Sequence, residues 1–233
     1  MDFDAFHKSV KNLLAAYPDR KCKVHILHGD LTAGQMTGLY THPKIKAIVN
    51  IAHGEGFDLP YDFNFLMVSQ ISPRKNFVNA LKWWVEEFID QEVGLVIKSN
   101  IKCNSQMDFE TFHHQVKNLI AAYPDRKCKI HLLHGDLTSG QMTTLYTHPK
   151  IKALVNISHG EGFGLPLFEA AREALPVVSI GWSGQLDFLT SEDKDYYQKV
   201  DFTLSPVQPE AVWNGVIRQD SQWAHADRDW ETN

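Results

Sequence analysis

The chain has 233 residues, 43% of them hydrophobic and 22% charged. This is the composition of an ordinary soluble globular protein and excludes collagen-like, disordered and disulfide-scaffold classes. Its 23 Lys and Arg against 28 Asp and Glu leave a net charge of -5, so no nucleic acid is expected as a partner and any anion site must be local.

From its first residue the chain spells a segment that it later repeats. Residues 1–57 match residues 107–163 at a constant offset of 106, with 46 of 57 positions identical. Two copies this far apart are not a solenoid, which stacks three or more short units. The similarity ends after Leu59 and Pro60, where copy one runs into YDFNFLMVSQ, whereas copy two continues from Leu165 and Pro166 into LFEAAREALPVV. Residues 1–57 are therefore read as a partial α-β-α-β duplicate, and 58–64 as a junction. A fragment of that size buries too little surface to be a dependable domain alone. It is expected to be displaced, edge-docked or partly disordered, or to exchange between chains as a swapped homodimer.

Beyond the junction, apolar runs alternate with helical stripes, the signature of a parallel sheet with crossover helices. Strands are expected at 65–68, 93–97, 129–133, 153–157 and 177–180. Phe77, Ala80, Leu81, Trp84, Val85, Phe88 and Ile89 follow a 3.6-residue period and predict the first helix. Phe109 to Ile120 predicts a second, Gln141 to Tyr146 a third, and FEAAREAL after Pro166 a fourth, with proline near the first helical position. The expected fold is α/β, a Rossmann-like doubly wound sheet over 65–210, whose ligands sit outside the carboxyl ends of the strands. The tail, 211–233, is expected to be partly helical.

The loop after the fourth strand carries the chemistry. In HGEGFGLPLFEAA, from His159, glycines let the backbone approach a ligand, and the helix that follows presents N–H groups and a partial positive charge suited to a diphosphate. Glu161 in the loop and Glu169 one turn into the helix are eight positions apart, and paired hydroxyls of a ribose or sugar suit such carboxylates.

These residues resemble the GT-B glycosyltransferases, specifically the C-terminal, nucleotide-sugar-binding half of the retaining group 1 (family-4-like) type. EGFGLPLFE is similar to that family's E-x7-E pattern, PVVSIGWSGQLDFL to its next strand and turn, and PRKNFVNALKWWVEEF to its first helix with a basic loop. The resemblance implies transfer of a sugar from a nucleotide diphosphate sugar to an acceptor hydroxyl with retention, without a cofactor or obligatory metal. It assigns Glu161 to the donor sugar, as the catalytic residue, and Glu169 to the ribose. Lys75 falls on the diphosphate. The family's arginine falls at Gln70, so Arg74 is the expected substitute, with Lys98 a further candidate. Gly162, Phe163, Gly164, Leu165, Ser183, Gly184 and Gln185 are expected to line the donor. The acceptor is an unknown glycan, lipid or protein, and the chain is expected to act alone or with an acceptor-binding N-domain from elsewhere. The alternative is an inactive nucleotide-sugar-binding remnant or interaction module. Copy one keeps Glu55 in the place of Glu161 but has Phe63 in the slot of Glu169, so it is not expected to form a second donor site.

Twelve histidines raise the question of a metal, but His131 and His134 are three apart on a strand, where the two-residue period sends them to opposite faces, so no metal site is expected. His159 has two readings, lining the donor pocket or hydrogen-bonding the loop. GEGFGL lacks the third glycine of a dinucleotide fingerprint and follows the wrong strand. The three cysteines form no CxxC pair, no apolar run approaches the length of a membrane helix, and the N-terminus lacks the regions of a signal peptide, so a cytoplasmic location is expected.

Overall fold

The structure, a computed structural model, describes residues 59–101 and 105–228 together with Ala15. The expectations for residues 1–57, including their docking and exchange, lie outside the described residues.

Six parallel strands form one sheet: β1 (Asn64–Val68), β2 (Gly94–Ser99), β3 (Lys129–His134), β4 (Ile151–Asn156), β5 (Val177–Ile180) and β6 (Gln198–Val200). Their order is β3-β2-β1-β4-β5-β6, the doubly wound, Rossmann-like order. The order reverses between β1 and β4. Loops leaving the carboxyl ends of these neighbours therefore diverge to opposite sides and open a crevice, which is where such sheets place a ligand.

The helices are α1 (Phe77–Glu87), α2 (Gln106–Ile120), α3 (Ser139–Tyr146), α4 (Leu165–Arg172) and the short α5 (Leu186–Leu189). Local chemistry sets their starts. The Ser105 side chain accepts from Asp108 N to begin α2. Thr138 and Gln141 form a reciprocal capping box at α3, satisfying two donors that a helix end leaves free. Alternation along the strands sends side chains to both faces of the sheet. Leu95 and Ile97 of β2 pack with Phe77, Leu81, Phe112 and Val116 of α1 and α2, while Val96 between them packs with Leu145, Leu167 and Leu189 of α3, α4 and α5. Both faces are covered, which is why these strands read as continuous apolar runs.

A second, antiparallel ribbon pairs β7 (Phe202–Pro206) with β8 (Gln222–Ala226). Its Ala224 and Ala226 join the core on the α1 and α2 side. The expectation of helix in the tail is corrected over its described part. A three-residue 3-10 helix ends at Ala211 and the residues beyond contribute a strand, because pairing with β7 buries Trp223, Ala224 and Ala226. Among the described residues no helix is long and apolar enough to cross a membrane.

Candidate functional site

The crevice between β1 and β4 is built by two loops fastened to each other. After β1, Pro73–Lys75 make a 3-10 turn that ends at Asn76, a buried residue in the left-handed region with φ 51°. Asparagine tolerates that conformation better than most residues. Its Nδ2 donates to the Ile157 carbonyl at 3.2 Å, and His159 N donates to the Arg74 carbonyl at 2.9 Å. The turn thus holds Arg74 and Lys75 against the loop after β4.

Glu161 is the centre of that contact and is 5% exposed. Lys75 Nζ lies 2.7 Å from both carboxylate oxygens. Arg74 Nη1 donates to Oε2 at 3.2 Å and to the Gly160 carbonyl at 2.5 Å. Ser158 Oγ at 2.9 Å and Asn156 Nδ2 at 3.3 Å donate to Oε1. Burial pushes the Glu161 carboxyl up, but the hydrogen bond and charge of Lys75, with Ser158 and Arg74, outweigh it and hold the group below its ordinary value. The stability this charge contributes is complete above the ordinary carboxylate range and is lost as pH falls through the lowered pKa. The Lys75 and Arg74 side chains remain 14% and 39% exposed, so an anion arriving from solvent meets both.

The turn after β5 closes the site from behind. Ser183, at φ 85°, donates from Oγ to the Glu161 carbonyl at 2.6 Å, and Gly184 N donates to the same carbonyl at 3.1 Å. A Cβ on Gly184 would stand 2.0 Å from the Gly162 carbonyl oxygen. Gln185 is buried and donates to the Ile180 carbonyl. Gly164, at φ 84°, begins α4. Gly162, Phe163 and Leu165 are exposed beside it, Phe163 leaning on Phe168 and Phe188.

The expectation of several free N–H groups at the start of α4 is narrowed. Pro166 has no N–H, and the N–H groups of Leu167 and Phe168 both donate to the Gly164 carbonyl. Glu169, half-buried on α4, does not join the Glu161 cluster. Its Oε2 accepts from Tyr146 Oη of α3 at 2.8 Å.

Lys98, at the carboxyl end of β2, is one strand beyond β1. Burial lowers its pKa against the opposing pull of Asp136, so its charged neighbour is Asp136. Gln70 is exposed, and Arg74 is the arginine at the site. His134 Nε2 lies 2.8 Å from Asp108 Oδ2, a buried pair joining β3 to α2.

For His159 the structure supports the loop-bonding role. It is 2% exposed, and its Nδ1–H donates to the Ala224 carbonyl at 2.8 Å. Ala224 N donates back to the His159 carbonyl, and its ring stacks on Trp223. The ribbon therefore grips the loop after β4 through one residue. Burial, with nearby His225, lowers the His159 pKa despite the bond to Ala224. Folding thus favours the neutral ring; this contribution is present above the unfolded pKa of roughly 6.5 and is lost as pH falls through the folded one. Stability measured by denaturant is expected to decline from pH 7 towards pH 5, and His159→Gln is expected to flatten that slope. An unchanged slope would contradict it.

Three residues at the site are ones that sequence reasoning missed. Asn156 and Ser158 carried a usable signal, lying just before Glu161 at the strand end, with Ala52 replacing Ser158 in copy one. Tyr146 stands in both copies, at Tyr40 in the first, and nothing in its spacing pointed to Glu169.

Over 116 residues, 49% of this chain, the sequence is 30% identical to the serotype-specific mannosyltransferase WbdA of Escherichia coli. The chain resembles GT-B glycosyltransferases of group 1. The matched segment covers 13% of WbdA. Solved structures similar to this glycosyltransferase-like chain include a glycosyltransferase of Rickettsia africae ESF-5, with TM-score 0.46, 17% identity, and 60% of this chain against 33% of that one. Another is the C-terminal domain of LpcC, a glycosyl transferase group 1 family protein of Francisella tularensis, with TM-score 0.42, 17% identity, and 58% of this chain against 66% of that one. No family model matches the chain.

Proposed function

We propose that residues 59–228 are the donor-binding half of a retaining glycosyltransferase, with a nucleotide diphosphate sugar bound in the crevice between β1 and β4. The observation that carries this reading is the ionised, buried Glu161, held by Lys75 and Arg74 at the strand-order reversal. Eight residues on, a second carboxylate stands on the helix that follows.

Glu161 neutralises both cations. An arriving diphosphate competes for them, and drawing both away frees Oε2, while Ser158 and Asn156 still donate to Oε1. Glu161 then accepts from a donor-sugar hydroxyl or faces the anomeric carbon, while Lys75 and Arg74 stabilise charge on the departing nucleoside diphosphate. Preorganised charge in a partly dry crevice is worth most where charge develops in the transition state. Glu169 accepts from the ribose. The exposed loop residues Gly162, Phe163 and Leu165, with buried Gly164 among them, face the donor, with Ser183 and Gly184 fixing the loop and Lys98 at the outer edge. An acceptor hydroxyl completes the reaction, and a cytoplasmic setting fits the free buried Cys128.

A second reading, binding without turnover, is favoured by the same ion pairs, because both cations are already engaged. Incubating the purified chain with nucleotide sugars and acceptor alcohols separates the two. Release of nucleoside diphosphate with a product of unchanged anomeric configuration supports transfer, and binding without release supports the second reading. Glu169→Ala is expected to weaken donor binding by about 1–3 kcal/mol, as for a lost buried hydrogen-bonding partner. Unchanged affinity would remove Glu169 from the site.

A further inference from the structure

We infer that Tyr146 is a positioning residue that sets how Glu169 meets the nucleotide ribose, and thereby how strongly the site distinguishes ribonucleotides from deoxyribonucleotides; this rests on the donor-binding reading above. Tyr146 closes α3 and is 2% exposed, its ring packed among the apolar residues between α3, α4 and the sheet. Its hydroxyl crosses to α4 and donates to Glu169 Oε2 at 2.8 Å. Among the described residues, Oε1 receives no hydrogen bond.

A carboxylate on a half-exposed helix position ordinarily samples several rotamers, because terminal torsions of this kind are broad. A buried phenol with a fixed ring removes that freedom by holding one oxygen. The other oxygen keeps its lone pairs for an incoming donor pair, and vicinal ribose hydroxyls are such a pair. Burial, together with the hydrogen bond and charge of Glu169, raises the Tyr146 pKa, so the phenol remains a donor through the physiological range.

The consequence is specific. Removing the hydroxyl while keeping the ring leaves the core filled and the glutamate charged, yet frees it to rotate. The loss then falls on ligands that use Glu169. A 2′-deoxy ligand, which offers it one hydroxyl fewer, loses less. A residue that merely supports the fold would weaken both ligands alike.

The test uses the full chain and calorimetric titration with UDP, GDP and ADP and their 2′-deoxy counterparts, comparing wild type, Tyr146→Phe and Glu169→Gln. The wild type is expected to prefer the ribonucleotide. Tyr146→Phe is expected to lose about five- to tenfold in ribonucleotide affinity, with the deoxy ligand changed less than twofold, so that discrimination collapses towards that of Glu169→Gln. Adding Tyr146→Phe to Glu169→Gln is expected to change little further. Equal losses for both ligands, retained discrimination, or additive effects in the double variant would overturn the assignment while leaving the donor site intact. No nucleotide binding by the wild type would overturn the donor reading and this inference together.

Discussion

Replacing Glu161 with glutamine is expected to lower the stability of residues 59–228 by roughly 2–3 kcal/mol and to abolish sugar transfer. The substitution keeps the volume and an acceptor for Ser158, but it leaves Lys75, 14% exposed, without the carboxylate that offsets its desolvation. Breaking a fully buried pair costs more than this, and the partial access of water to Lys75 and Arg74 reduces the penalty. For a domain of this size each kcal/mol moves the unfolding midpoint by about 2–4 °C. A double-mutant cycle isolates the ion pair: Lys75→Met alone strands Glu161, whereas Lys75→Met with Glu161→Gln removes both charges and is expected to cost less than the sum. Strict additivity would mean that the two charges do not depend on each other.

The second large effect is at Gly184. Its added Cβ would lie 2.0 Å from the Gly162 carbonyl oxygen and 3.1 Å from that of Glu161. Both neighbours are backbone and belong to the loop that carries Glu161, so relief requires the whole loop to move. Gly184→Ala is expected to cost about 3 kcal/mol, at the upper end of overpacking effects, and to lose donor binding at least tenfold. Gly162→Ala is the internal control. Among the described residues beyond its chain neighbours, no atom lies within 4 Å of its added Cβ, and its stability is expected to stay within about 0.5 kcal/mol of wild type, as at an ordinary surface site. Equal tolerance at the two positions in thermal unfolding would contradict the packing described between the two loops.

The sheet was legible because its strands are buried on both faces. GLVIKS at β2 and IKALVN at β4 read as apolar runs, and each observed strand among the first five lies within two residues of its expected end points. The helices were legible for the complementary reason that Phe77, Leu81, Trp84 and Val85 face one way. What the sequence hid were elements without such a pattern. β6, spelled QKV, is largely exposed. The four-residue α5 is too short to show a period. β8 is held by its pairing with β7 and by His159, a side chain 65 positions away. The same distinction governs the site. Glu161 and Lys75 were found because a local motif names each of them, and Arg74 because it stands beside Lys75 where the motif's own arginine falls at Gln70. Their mutual contact required β1 and β4 to be neighbours, and the partnership of Tyr146 with Glu169 depends on how α3 packs on α4.

The duplication bears on the site through one substitution. Of the positions where the copies differ, Ser158 is buried and donates to Glu161, and copy one has Ala52 there. The slot of Glu169 falls past the copy on Phe63, which stands just before β1 and is exposed.

We propose that the crevice at Glu161 is built for a nucleotide diphosphate sugar. Calorimetric titration of the full chain with UDP-glucose, GDP-mannose and ADP-glucose tests it most directly. Saturable binding of at least one of them, weakened about tenfold or more by Glu169→Ala or Lys75→Met, is the result predicted. Absence of binding to every nucleotide sugar tried, by a chain that unfolds cooperatively, would contradict it.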